Sequence, residues 1–176
     1  MKHEWTKILR DIRMNSNEID GWNSLRVTYE APRVDRMWRP YSDGRLMLHR
    51  IWPETKRVSL YHPHPWPSQM LILDGNYEMR MGTKDLVYTT VHLAPESSYE
   101  MHDHRVWHDV TVTSQHPVLS VMVTGPLYGK DCAYEKARAA GEISYPETPE
   151  PELQMHEQIN LLDDIVRQID DGGWLN

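Results

Sequence analysis

This 176-residue chain has one cysteine, no phenylalanine, no long apolar run and no excess of positive charge. Each absence removes a class of answer. Cys132 stands alone, which excludes an internal disulfide framework and a zinc site built on several thiolates. No stretch approaches the roughly 18 uninterrupted apolar residues of a membrane-spanning helix. The opening MKHEWTKILRDIR has no apolar core before a small-residue cleavage site, so a cytoplasmic protein without a secretory leader is expected. With 19 Lys+Arg against 26 Asp+Glu, the net charge is −7. The basic footprint that nucleic acids and anionic membranes demand is missing, and neither partner is expected. The aromatic residues are seven Trp and nine Tyr, rings with a polar handle that suit cavity mouths and interfaces. Phosphate loops, dinucleotide glycine fingerprints, serine elbows and HExxH motifs are also absent.

What the chain holds in quantity is histidine. There are ten, and His62, His64, His92, His102, His104, His108 and His116 fall within one 55-residue stretch.

That stretch lies in a region of β texture. Residues 3–14 place Trp5, Ile8, Leu9 and Ile12 at helical spacing, and an Asn/Ser/Gly run at 15–24 ends the pattern. From 25 to 126, short alternating runs are cut by Pro, Gly and Asn, as in a sandwich or barrel. Strands are predicted over 45–52, 56–62, 69–75, 76–82, 85–93, 105–114 and 118–125. Asp74-Gly75-Asn76 reads as a hairpin turn, and Gly82-Thr83-Lys84-Asp85 as a weaker one. Beyond 126 come a short helix at 133–140, a Pro/Glu connector at 145–152 expected to be extended and solvated, and an amphipathic helix at 153–170. The predicted organisation is an N-terminal helical arm (1–24), a β domain (25–126) and a C-terminal connector with helix (127–176).

Strand parity puts Val58, Leu60, His62 and His64 on one face, so two imidazoles share the side of the core-facing residues. Val106, His108, Val110 and Val112 share a face in the same way. An HxH pair with a third inward histidine is the material of a three-nitrogen metal site, open for water or substrate. His102 and His104 lie just upstream as alternative third ligands, with Asp103 between them able to orient an imidazole. Gln69 offers an oxygen donor at the start of the next strand. Imidazoles suit most of the first-row metals.

HPHPWPSQMLILDGNYEM resembles the first motif of the cupin superfamily, and HDHRVWHDV followed by SQHPVLSVMVTGP resembles the second. The resemblance covers about 58–126. It implies a mainly β fold, a double-stranded β-helix (jelly-roll) barrel with short helices at both ends. It also implies His62, His64 and His108 as metal ligands, with Gln69 at the position usually held by a carboxylate. A three-His site lacking the carboxylate is similar to that of thiol dioxygenases. The Ser-His-Tyr relay of those enzymes would fall at Ser120, Met122 and Thr124, where only the serine matches, so cysteine is not assigned as substrate.

The first expectation is therefore a metal-dependent small-molecule enzyme, a non-haem iron dioxygenase, holding a divalent transition metal: Fe(II) first, with Zn, Mn and Ni open. Tyr61, Trp66, Tyr99, Arg50 and Arg80 are candidate substrate contacts, the arginines as anion clamps if they point inward. Trp107 could join the aromatic rim. A second reading is a sugar isomerase or epimerase on the same barrel, with His62 or His104 as base and Tyr61 or Tyr99 as acid. A third is a non-catalytic binding barrel. A homodimer is the expected assembly.

Overall fold

The computed structural model describes residues 2–28, 31–55, 58–143 and 150–175. Helix α1 (Lys2–Met14) buries Trp5, Ile8, Leu9 and Ile12, the stripe its spacing predicts. Ten strands follow: β1 (Asn23–Val27), β2 (Val34–Tyr41), β3 (Gly44–Ile51), β4 (His62–Pro63), β5 (Ser68–Asp74), β6 (Tyr77–Thr83), β7 (Leu86–Leu93), β8 (Ser98–Met101), β9 (Trp107–Val112) and β10 (Val118–Thr124). The chain then forms α2 (Ala133–Ala139) and α3 (Met155–Asp171). In α3 the Gln154 N–H donates to the Glu157 carboxylate at 2.9 Å, satisfying one of the donors a helix start leaves open. Among the described residues no helix is long and apolar enough to cross a membrane.

The strands form two antiparallel sheets, ordered β1-β2-β3-β10-β5-β8 and β4-β9-β6-β7. Met47, Ile51, Met70, Ile72, Tyr77, Met79 and Met122 fill the space between them. On the other face of the larger sheet, Leu46, Leu48, Leu71 and Val121 pack with Leu9 and Ile12 of α1 and with Leu161, Leu162 and Ile165 of α3. A strand covered on both sides has no polar face, which is why β3, β5 and β10 read as nearly continuous apolar runs. The double coverage also conceals which side of each strand looks into the jelly roll.

The expected mainly β jelly roll with helices at both ends is present, its two sheets facing each other and not closed into a barrel. Other expectations are corrected. Asp74-Gly75-Asn76 is not a hairpin turn: β5 pairs with β10 and β8, β6 with β7 and β9, so the segment carries the chain from one sheet to the other. Gly75 is needed there, with φ +76° and the space for a Cβ closed at 3.0 Å by the Val118 backbone. The weaker turn does join a hairpin, with Thr83 opposite Leu86.

The strand predicted over 56–62 shrinks to the two residues of β4, and Val58 is exposed. Lys56 and Arg57 lie outside the described residues. Pro63, Pro65 and Pro67 cannot donate to a ladder, which limits pairing here. Strands β1, β2 and β8 were not predicted: β2 (VDRMWRPY) interleaves charges with its apolar residues, and β8 (SYEM) is too short to show a period. The 145–149 part of the connector lies outside the described residues. Its end is bound to β1, where the Arg26 N–H donates to the Pro151 carbonyl at 2.8 Å and Leu153 is buried.

Candidate metal centre

His62 and His108 stand opposite each other in the β4–β9 ladder. His64, two residues on, projects from the same side of its strand. The ring centroids lie 5.4 Å (His62–His64), 5.1 Å (His62–His108) and 4.7 Å (His64–His108) apart. One nitrogen from each ring falls within 4.8 Å of the others, and Nε2 of His64 and His108 are 2.8 Å apart. Nitrogens held at metal-bond length around one octahedral or tetrahedral ion are about 3.0–3.4 Å apart. The donor set fits a metal ion.

The rings are oriented for ligation. Nδ1 of His62 lies 2.9 Å from the Leu60 carbonyl, which can only accept. The proton therefore sits on Nδ1 and the lone pair on Nε2. Nδ1 of His108 contacts the Met79 sulfur at 3.4 Å, leaving its Nε2 toward His64. Nδ1 of His64 is buried with no partner among the described residues.

Burial is the largest cause holding all three imidazoles below their ordinary pKa. His64 is driven well below 6.5, with the neighbouring His108, His62 and Arg36 adding to the effect. His108 falls to about 3. The triad is neutral at pH 7, the state in which imidazole binds metal.

The same shifts set an acid response in the metal-free protein. Unfolded imidazoles titrate near 6.5, so below that pH the unfolded chain binds protons that the folded triad refuses. Stability is expected to be level above pH 7, to fall as the pH drops through 6.5 and to keep falling toward 3. Urea denaturation of the metal-free chain between pH 4 and 8 measures this. A midpoint that does not move across that range contradicts it.

A cavity of about 90 Å³ adjoins the triad. Its lining includes Arg36, His49, Met70, Tyr77, Tyr99 and Met122. The Arg36 Nε–H donates to Nε2 of His49 at 3.0 Å. The proton of this neutral imidazole is then on Nδ1, which is buried without a partner among the described residues. Burial, with the charge of Arg36 as the lesser cause, holds His49 well below its usual pKa. Arg36 and His49 were not among the sequence candidates. His49 alternates in β3 with Met47 and Ile51, and that pattern could have found it once the interior side was known.

The other candidates lie elsewhere. Gln69 is on the opposite face of β5 from Met70 and lines a separate open groove of about 800 Å³ beside α1. No oxygen donor from Gln69 reaches the histidines. His102 lines that groove and meets Glu100 at 2.7 Å, while His104 accepts from the Ala133 N–H at 3.2 Å and packs on Tyr128. Neither joins His62 and His64. Asp103 pairs with Arg105, not with a histidine, which lowers its pKa to about 2.

Arg50 does share a face with Leu46 and Leu48, but that face meets α3, where it pairs with Asp164 at 2.5 Å. Arg80 grips buried Asp109 with two hydrogen bonds and is 44% exposed. Neither lines the triad cavity. Tyr61 meets Trp107 with its ring tilted, in a cluster with Ala137 of α2, and does not line the triad cavity. The Trp66 ring is 6.2 Å from that of His64, and Tyr99 lines the cavity.

No protein-family model and no curated protein matches the chain. Solved structures do. The structure of FeII HppE is 12% identical with a TM-score of 0.50, covering 60% of this chain and 57% of that one. The fold is a cupin jelly roll. A hydroxypropylphosphonic acid epoxidase from S. wedmorenis is 14% identical (TM-score 0.49), covering 60% of this chain and 56% of the other. Streptomyces albus HEPD, with 2-hydroxyethylphosphonate and Fe(II) bound, is 13% identical (TM-score 0.47), covering 70% of this chain and 28% of that one. The chain thus spans little more than half the length of the first two and under a third of the last. At these identities the likeness concerns the fold alone.

Proposed function

We propose that the chain is a metal-dependent small-molecule enzyme of the cupin type, a non-haem iron dioxygenase acting on a small acid. The observation that carries this reading is the convergence of three neutral imidazoles, one nitrogen from each within 4.8 Å of the others, on the side of a partly open cavity. His62, His64 and His108 would hold the ion. A bound Fe(II) supplies a redox-active Lewis acid with open positions for O₂ and substrate. Arg36 is the one permanent charge among the described residues that line the cavity, and it draws the negative end of a substrate inward. Ile51, Met70, Met122 and Val110 keep water from the reacting end.

Inward-pointing Arg50 and Arg80 would have favoured the sugar isomerase or epimerase reading, and both are paired elsewhere.

Oxygen-electrode assays of the Fe(II)-loaded protein against short carboxylic acids and their neutral amides test the proposal. Metal-dependent oxygen uptake with an acid but not its amide is expected, falling at least tenfold in Arg36→Gln. Folded, iron-loaded protein that consumes no oxygen with any acid overturns the dioxygenase reading.

A further inference from the structure

Tyr77 and Tyr99 bring two phenols to the cavity from different sheets. Tyr77, wholly buried on β6, donates its hydroxyl proton to the Tyr99 oxygen at 3.0 Å. A phenol has one proton to give and an oxygen that can accept. Tyr77 has spent its proton, and Tyr99 has filled its acceptor side. No described residue accepts the proton of Tyr99. Tyr99 stands opposite Met70 in the β5–β8 ladder, and both side chains line the cavity that holds the three histidines.

We propose that the Tyr99 hydroxyl is a substrate-contacting donor, giving a hydrogen bond to an oxygen of the bound ligand, with Tyr77 as the positioning residue that fixes its direction. The proposal rests on the reading of this cavity as a substrate site and adds the group that recognises a ligand oxygen. Burial raises Tyr99 to about 12 and pushes Tyr77 well above its usual value, so both phenols keep their protons at neutral pH. The pair thus selects for an acceptor. A carboxylate supplies the acceptor oxygen that Tyr99 would donate to, in a cavity whose lining also includes the cation of Arg36.

The test uses metal-free protein labelled with 3-fluorotyrosine, titrated with sodium acetate against a sodium chloride control. The Tyr99 signal is assigned by its absence in Tyr99→Phe. It is expected to shift saturably with acetate and not with chloride. Acetate affinity should fall about tenfold or more in Tyr99→Phe, which loses a hydrogen bond to a charged acceptor. Tyr77→Phe, which keeps the donor and loses only its support, should fall about threefold.

Both variants lose the same inter-tyrosine hydrogen bond, so a purely structural role predicts equal losses. Equal losses overturn the proposal. So does saturable acetate binding that leaves the Tyr99 signal unmoved, or no saturable binding by folded wild-type protein. Because no metal is present, failure of the chain to take up iron leaves this result readable on its own.

Discussion

Replacing both His62 and His64 with alanine is expected to take metal content from about one ion per chain to background, with affinity for Fe(II) or Zn(II) weakened at least a hundredfold. Each contributes one of three convergent nitrogens, and His108 alone leaves an imidazole facing an open cavity. The fold should survive. The triad lines the cavity and is not part of the apolar cluster under the helices, and the change removes the unpartnered Nδ1 of His64. His102→Ala and His104→Ala serve as controls, because those rings are engaged with Glu100 and the Ala133 N–H. Anaerobic equilibrium dialysis, with circular dichroism to confirm folding, gives the comparison. A folded double variant that still binds one ion tightly, or His104→Ala losing it, contradicts the assignment.

Leu161→Ala should cost about 3 kcal/mol, and lower the thermal midpoint by roughly 10 °C, without changing metal content. Leu161 is fully buried where α3 meets the larger sheet, packed in the cluster that includes Leu48 and Leu71. The triad lies across that sheet, in the layer between the sheets. The two layers share strands but not side chains: Leu48 faces α3 while Met47 and His49 face the interior. Calorimetry of metal-loaded and metal-free protein separates them. An undiminished midpoint, or loss of metal at full folding, refutes this division.

The helices and most strands were legible because their periods are clean, as in Ile8, Leu9 and Ile12 of α1. The three histidines were legible from spacing: His108 alternates with Val110 and Val112 in β9, and the one-residue gap between His62 and His64 brings both rings to one side, although Val58, which the same parity placed with them, is exposed. The errors share one cause. In β3 and β5 both faces are buried, so alternation shows which residues lie together but not which way they look. Arg50 therefore kept its parity and met α3 instead of the cavity, while its neighbour His49 went inside. Gln69 and Met70 differ by one residue, and that single step decides which of them reaches the triad. Arg36 was missed for a different reason: β2 carries charges on a strand that alternation alone does not reveal.

The measurement that tests the central claim most directly is anomalous X-ray diffraction from crystals loaded with Zn(II) or Co(II), recorded above and below the metal edge. One strong peak is predicted, within bonding distance of a ring nitrogen from each of His62, His64 and His108. A peak at Glu100 and His102 instead, or none from protein that fills the crystal in its folded form, would contradict it.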